Sequence, residues 1–291
     1  MAVYERRYRG YAGAFTPAWS RFLVLTRYGF EGLFGSRLFV VFLVLAALAP
    51  LGGAVYLYLR QNVDLVQRLG GEDLRPILPA GPEYFFYFLR IQGSVLCFIA
   101  AIFIGPGLIA RDLRNGALPL YLARPLGRWE YVCGKAAVLA LLMSAITWVP
   151  GLLLFALQAA LERGSWLAQN WRIAPAVVAA SAALIVTLTL VSLAVSSLVK
   201  WRPLAGLMVW GIVSIGTPFA LALNGTLDTR LGGLFAIGMA VPSVWSQLLG
   251  LPPDQSFAGV PPVLGWLTLG LACALSLLVL SHRIRAQEVV R

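Results

Sequence analysis

The run APAVVAASAALIVTLTLVSLAVSSLV (174–199) holds 26 consecutive residues without a charged side chain. About 20 predominantly apolar residues are enough to cross a bilayer as a helix. The whole chain has a matching composition, because 12% of its 291 residues are charged against roughly 25% in soluble domains. The sequence therefore predicts an integral membrane protein.

Five further apolar blocks meet the same length requirement. With the first run they make six predicted membrane crossings, at 38–59, 84–109, 136–160, 174–199, 204–223 and 261–281. The predicted fold class is an all-α polytopic membrane protein with six transmembrane helices. Its single transmembrane domain covers 38–281, with an N-terminal region at 1–37 and a tail at 282–291.

Basic residues are distributed unevenly between the two sides of this predicted domain. With the N-terminus in the cytoplasm, sixteen Lys and Arg residues fall on the cytoplasmic side and six on the other. Cytoplasmic loops carry the excess of Lys and Arg in membrane proteins. Both termini and the loop 110–135 are therefore predicted to be cytoplasmic. This topology accounts for the net charge of +11, so no nucleic-acid partner is expected.

A further apolar run at 231–249 is just long enough to cross the membrane. A seventh crossing there would move the basic tail 282–291 to the outside, against the charge distribution. The run also contains three glycines and Pro242, which make a poor continuous helix. We interpret it as a broken, re-entrant or interfacial segment on the outer face, before the last crossing.

The N-terminal region is amphipathic and has no early apolar core, so no cleavable signal peptide is expected. Apolar side chains recur at helical spacing, at Trp19, Phe22, Leu23, Phe30, Leu33 and Phe34, with Arg21, Arg27 and Glu31 between them. Such a helix is expected to lie in the plane of the membrane interface. The alternative is a cytoplasmic helix that packs on the protein.

The segment ARDLRNGALPLYLARPLGRWEYVCGK (110–135) is polar, whereas its neighbours are apolar. Gly116 is predicted to begin a short helix within it. Leu118, Tyr121 and Leu122 would share one face of that helix, because side chains three and four residues apart lie together. The segment therefore predicts a short helix with one apolar side, close to the membrane surface.

Arg124 and Pro125 are predicted to end this helix, because a residue before proline avoids the α conformation. A helix so short is not stable alone and needs a surface to dock against. Two interpretations remain on physical grounds: the helix docks on a cytoplasmic partner, or it rests on lipid headgroups.

The same segment resembles the loop between the second and third crossings of type-2 ATP-binding-cassette (ABC) permeases. That pattern has an acidic residue, basic residues, Gly-Thr, an apolar helix, an R-P-x-x-R turn and Gly-Lys. The matching residues are Asp112, Arg114, Gly116, Leu120, Leu122, Arg124, Pro125, Arg128, Gly134 and Lys135. The chain departs from the pattern at Ala117, where threonine is usual, and at Pro119, where an acidic residue is usual.

The resemblance implies that this loop carries the coupling helix, which sits in a cleft of the ATP-binding subunit. The implied contact residues are Asp112, Arg114, Asn115, Gly116, Leu118, Tyr121, Leu122, Arg124, Pro125 and Arg128. The implied assembly is an exporter in a prokaryotic plasma membrane, with a second permease copy or a paralogue and two ATPase subunits. ATP and magnesium are expected on those partners.

No cofactor or enzymatic activity is expected of this chain itself. It lacks the G-x-x-x-x-G-K-[ST] phosphate-binding pattern, because Gly134-Lys135 is followed by Ala136 and has no glycine five residues before it. No metal site is expected either, since His282 is the only histidine and a metal site needs several ligands.

Two alternatives from other classes remain. A membrane anchor could use the same loop to recruit a cytoplasmic partner without moving a substrate. An ion-coupled carrier is disfavoured, because such carriers use intramembrane Asp, Glu or His residues and the predicted crossings contain none.

Arg90 is the one charged residue inside a predicted crossing, about 9 Å from its outer end at 1.5 Å per residue. Its long side chain could reach the outer interface, towards Glu83. Alternatively, it contacts an anionic substrate on the transport path. Ser192, Ser196 and Thr189 form a stripe of small polar residues, which indicates either packing within the chain or a dimer contact.

Overall fold

The computed structural model describes residues 17, 20–68, 81–117, 121, 127–162, 164–227, 229, 231–251 and 260–286. Within those ranges the chain is helical and contains no strand. Six of its helices are long and apolar enough to cross a membrane, as the sequence predicted. They are span one (Arg37–Gln61), span two (Pro82–Arg114), span three (Arg128–Glu162), span four (Trp166–Leu198), span five (Arg202–Leu227) and span six (Pro262–Ile284).

Several of these spans are longer than the apolar blocks that predicted them. Span three begins at Arg128 and has 35 residues, which correspond to about 50 Å at 1.5 Å per residue. The hydrocarbon core of a bilayer is about 30 Å thick. The helix therefore continues past the apolar block into polar sequence, which hydropathy does not detect.

Most spans are assembled from shorter helical pieces. Span two comprises Pro82–Leu89, a π-helix at Arg90–Cys97, then Phe98–Phe103 and Gly105–Arg114; span three comprises Arg128–Ile146 and Trp148–Glu162; span four comprises Trp166–Asn170 and Ile173–Leu198; and span five comprises Arg202–Ser214 and Gly216–Leu227. A short helix, Val63–Arg68, follows span one, and the helix of span six continues to Ala286.

Span four forms the centre of the bundle. In its most apolar window 61% of the residues are buried, against 11% for span one and 22% for span five. The hydroxyl of Ser192 donates to the carbonyl of Ala101 at 3.2 Å, and that of Ser196 donates to the carbonyl of Pro106 at 2.8 Å. The small polar stripe therefore packs within the chain, against span two.

The N-terminal helix (Arg21–Phe34) packs along the beginning of span three. The hydroxyl of Thr26 donates to the carbonyl of Gly134 at 3.0 Å. A methyl group at Gly134 would lie 2.8 Å from the carbonyl oxygen of Phe22, so only glycine permits this approach. Leu23 and Tyr28 of the same helix are exposed. The helix is thus bound to the protein on one face, and its position at the interface stays a prediction.

The segment predicted to be broken consists of a 3-10 helix, Leu231–Phe235, and an α-helix, Ile237–Leu248. Twelve residues give about 18 Å, which is too short to cross the hydrocarbon core alone. Trp245 is fully buried, and its ring N–H donates to the carbonyl of Ala180 at 2.9 Å. Its depth in a membrane stays a prediction.

The N-terminal helix and the end of span six lie at the same end of the bundle as the loop between spans two and three. Leu280 and Ile284 of span six line a small cavity together with Arg128, Trp129 and Val132, at the start of span three. We call this side the loop end. An even number of crossings returns the chain to the side where it started, so this common location agrees with six crossings. Which side of the membrane the loop end faces stays a prediction.

Candidate functional site

Span two ends in a Schellman motif at the start of the predicted coupling loop. The N–H of Ala117 donates to the carbonyl of Asp112 at 2.9 Å, and that of Gly116 donates to the carbonyl of Leu113 at 3.4 Å. Gly116 has φ 63°, a left-handed conformation that glycine adopts without strain. Gly116 therefore ends span two, whereas the sequence assigned it to the beginning of the next helix.

One described backbone hydrogen bond lies beyond Gly116. The N–H of Tyr121 donates to the carbonyl of Ala117 at 3.1 Å, which is the spacing of an α-helical bond. Of the residues predicted for the coupling helix, Leu118, Leu122, Arg124 and Pro125 lie outside the described residues. The helix as a whole and its docking face therefore stay predictions.

The far side of the loop is fixed where span three begins. The carboxylate of Glu130 accepts a hydrogen bond from the backbone N–H of Gly127 at 2.7 Å. Such a bond satisfies a donor at the helix N-terminus, where backbone N–H groups lack partners within the helix. Arg128, one of the predicted contact residues, is the first residue of span three and is half-buried.

A buried polar cluster joins the two helices that flank the loop. Asp112 of span two accepts a hydrogen bond of 2.7 Å from the hydroxyl of Tyr131 in span three. The same carboxylate oxygen lies 2.8 Å from the ammonium nitrogen of Lys135. The Asp112 and Lys135 side chains are only 11% and 13% exposed. We call Asp112, Tyr131 and Lys135 the loop-end cluster.

Tyr121 lies against the loop-end cluster. Its ring centroid is 5.7 Å from that of Tyr131, and the Lys135 ammonium lies 5.9 Å from the Tyr121 ring centroid. An ammonium at this distance from an aromatic face is attracted by the ring quadrupole. Tyr121 is half-buried. One side of the residue predicted to dock on a partner is therefore in contact with the chain itself.

The remaining predicted contact residues in the described part of the loop are accessible. Arg114, Asn115 and Gly116 are exposed at the end of span two. The structure thus divides the predicted contact set. Asp112 is buried and holds span three, whereas Arg114 to Gly116 form an accessible edge of the loop.

Sequence reasoning did not find the partners of Asp112. Tyr131 and Lys135 are 19 and 23 residues away along the chain, and no local spacing rule connects them. The Gly-Lys pair at the end of the loop pattern was the only signal. The structure shows what each residue of the Gly-Lys pair does. Gly134 allows the N-terminal helix to pack closely, and Lys135 forms an ion pair with Asp112.

Arg90 lies at the first residue of the π-helix in span two and is half-buried. Neither of its predicted roles, contact with the outer interface or with an anionic substrate, is tested by this geometry. A π-helix inside an α-helix often marks a functional site. No group of three or more potential metal ligands occurs among the described residues.

The chain matches the model of one protein family over residues 35–229, described as ABC-2 family transporter protein. The match begins just before span one and ends just after span five, so it contains the whole loop-end cluster. No curated protein matches the chain significantly. With six spans and a family match over more than half its length, the chain belongs to the ABC-2 family of transporter proteins, the multi-pass permease subunits of ABC transporters.

Proposed function

We propose that this chain is the permease of an exporter driven by ATP hydrolysis on separate ATPase subunits, which carry ATP and magnesium. The supporting observation is the loop-end cluster. A force applied to the loop reaches span two through Asp112 and span three through Tyr131 and Lys135. These contacts make the two helices move together when a partner pushes on the loop.

Movement of span two at the loop end would be transmitted to span four, in the middle of the bundle. The hydroxyl of Ser196 in span four accepts hydrogen bonds from the backbone N–H groups of Ile109 and Ala110 at 3.1 and 2.9 Å. Ala110 is two residues before Asp112. A displacement of the loop end of span two is therefore passed directly to span four, the most buried span.

The proposed ATPase contact combines the accessible edge Arg114 to Gly116 with the predicted helix residues Leu118, Tyr121, Leu122, Arg124, Pro125 and Arg128. We propose that this edge faces the cytoplasm of a prokaryotic cell, since it lies at the same end of the bundle as most basic residues.

We propose that a second permease copy or a paralogue completes the path. Span one leaves a surface available for this contact, because only 11% of its most apolar window is buried within the chain. Span five is also sparsely buried, and its exposed apolar side chains include Leu207, Trp210 and Phe219. Two copies that pair through these spans would cover surfaces that the chain leaves open.

The test is to co-express the chain with a candidate ATPase, reconstitute the complex in liposomes and measure ATP turnover. The informative variant is Asp112→Asn/Lys135→Met, which removes the ion pair but leaves no isolated charge. We expect the ATPase to stay bound and its turnover to lose dependence on the permease. The control is Arg27→Gln, which removes an exposed ion pair with Glu31 and should behave as wild type.

The alternative function, a membrane anchor that recruits a partner without transport, gives a different result. An anchor needs binding alone, so the double variant would retain both the partner and its full turnover. That outcome would reject the proposed coupling role of the loop-end cluster.

A further inference from the structure

A cavity of about 1130 Å³ lies at the loop end, between the N-terminal helix, span one, span two and the first turn of span five. Small-molecule sites commonly enclose roughly 300–1,000 Å³, so this space admits a large ligand. Its walls differ sharply along its length. Ile99 and Phe103 line the part nearer the middle of the bundle, Arg202 lies beside Phe103, and Arg111, Asp112 and Lys135 lie closer to the loop; Phe39 and Phe42, in the first turns of span one, complete the apolar wall.

Two guanidinium groups provide the net charge of the cavity. Arg202 donates from Nη2 to the carbonyl of Phe103 at 2.6 Å, and its Nε would lie 3.3 Å from a methyl group at Gly107. Arg111 follows Gly107 by four residues and lies on the same face of span two, one turn further on. Both arginines line the cavity.

The other charges in the cavity cancel. Asp112 and Lys135 also line it, but they form an ion pair of 2.8 Å. Among the lining residues, the two arginines are thus left as an excess of two positive charges. The cavity therefore combines a net positive charge with an apolar wall.

The length of the cavity corresponds to one leaflet. Ile99 and Arg111 are twelve residues apart along span two, or about 18 Å at 1.5 Å per residue. Half of a 30 Å hydrocarbon core is about 15 Å. A group held by Arg111 would thus lie at headgroup level, while a chain beside Ile99 would reach towards the bilayer centre.

We propose that this cavity binds an anionic phospholipid from the leaflet at the loop end. The lipid phosphate lies between Arg111 and Arg202, since the planar guanidinium group binds phosphate in a bidentate way. The acyl chains lie along Phe39, Phe42 and Phe103. A soluble anion would leave this apolar wall uncovered, and a zwitterionic lipid would bring its own ammonium group beside the two arginines.

The bound lipid would hold the N-terminal helix in place. Tyr28, Gly29 and Gly32 of that helix line the cavity opposite span two. The inference does not depend on the chain being an exporter. It assigns a lipid site to the joint between the N-terminal helix and the loop end.

The test uses the purified full chain, delipidated in detergent and incubated with vesicles of either phosphatidylglycerol or phosphatidylcholine. Bound lipid per chain is measured by mass spectrometry. We expect selective binding of phosphatidylglycerol, and roughly 30-fold weaker binding in Arg111→Gln/Arg202→Gln. Arg27→Gln removes a charge outside the cavity and should bind as wild type.

A second variant fills the cavity without changing its charge. A methyl group at Gly32 meets no atom within 4 Å, so Gly32→Leu should fold and occupy the space of the acyl chains. Gly270→Leu is the matched control, because Gly270 is equally uncrowded and lies outside the cavity. We expect only Gly32→Leu to lower phosphatidylglycerol binding.

Three results would overturn the proposal. Equal binding of both lipids would show that the site does not select an anionic lipid. Unchanged binding in both the charge variant and Gly32→Leu would place the lipid elsewhere. Thermal stabilisation by inorganic phosphate equal to that by phosphatidylglycerol would assign the site to a soluble anion.

Discussion

Gln92 of span two donates its side-chain N–H to the carbonyl oxygen of Ala46 in span one, at 2.9 Å. That carbonyl would ordinarily bond to the N–H of residue 50, four residues later. Residue 50 is Pro50, which has no N–H. The side chain of one span thus replaces the backbone bond that proline removes from another, at a fully buried position.

This relationship predicts that the effect of Gln92→Leu depends on Pro50. The variant leaves the Ala46 carbonyl unpaired, and we expect a loss of roughly 0.6–1.7 kcal/mol in stability, the range of hydrogen bonds between membrane helices. In a Pro50→Ala background the backbone N–H returns, so Gln92→Leu should cost much less. A double-mutant cycle of detergent unfolding measures the difference; equal costs in both backgrounds would contradict the prediction.

The loop-end cluster predicts a second non-additive pair. Asp112→Asn leaves Lys135 buried beside a neutral group, and we expect a loss of about 3–5 kcal/mol, as when one partner of a buried ion pair is removed. Adding Lys135→Met should recover much of that loss, because no charge is then isolated. Thermal unfolding of the two single variants and the double variant provides the measurement. Additive losses would show that the two side chains act independently.

The contact between the N-terminal helix and span three predicts opposite effects for two Gly→Ala substitutions. At Gly134 the added methyl would lie 2.8 Å from the carbonyl of Phe22, so the helix must shift, at a typical cost of about 1–3 kcal/mol. At Gly270 no atom lies within 4 Å, and alanine should be neutral or stabilising by up to about 1 kcal/mol.

Limited trypsin digestion distinguishes a displaced N-terminal helix from general destabilisation. Arg21 and Arg27 lie in that helix, so Gly134→Ala should speed cleavage there, whereas Gly270→Ala should not. Unchanged cleavage in Gly134→Ala would mean that the helix tolerates the added methyl group in place.

The sequence predicted the number of spans because membrane helices must be long and apolar. It did not predict their internal breaks. The π-helix at Arg90–Cys97 has no local signature in the sequence. Its side chains pack against other spans; Gly93, for example, faces Leu184 and Trp245. Such an interruption depends on tertiary contacts, which periodicity does not reveal.

The candidate site was predictable only in part, because its contacts also depend on tertiary packing. The resemblance identified Asp112 and Lys135 as separate pattern residues, and only the packing of spans two and three brings them together at 2.8 Å. Gly116 was assigned to a helix start because it precedes an apolar run. Its left-handed backbone instead ends the previous helix, and the two functions cannot be distinguished from residue type alone.

The predicted orientation of the membrane domain is tested by cysteine labelling. In a background without Cys97, Cys133 and Cys273, single cysteines replace Arg68, which lies between spans one and two, and Asn115, which follows span two. We expect an impermeant maleimide to label the Arg68 position from outside intact cells and to leave the Asn115 position unlabelled. The reverse pattern would invert the topology, and labelling of a cysteine in the tail 282–291 would indicate a seventh crossing.

Tyr121 provides the most direct test of the proposed coupling loop. Tyr121→Asp should insert and fold, because the loop lies outside the apolar blocks, but it places a carboxylate on the face that is proposed to dock on the ATPase. An unpaired charge buried in a protein contact costs several kcal/mol, and 1.4 kcal/mol is a tenfold loss of affinity. We therefore expect the variant to lose its ATPase partner during purification.

Tyr121→Phe keeps the ring on Tyr131 and should retain most of the bound ATPase. Arg114→Ala is the exposed control and should change little, since exposed charge pairs contribute at most about 1 kcal/mol. The measurement is ATPase recovered per permease. If Tyr121→Asp retains both its partner and coupled ATP turnover, the segment after Gly116 is not the docking element.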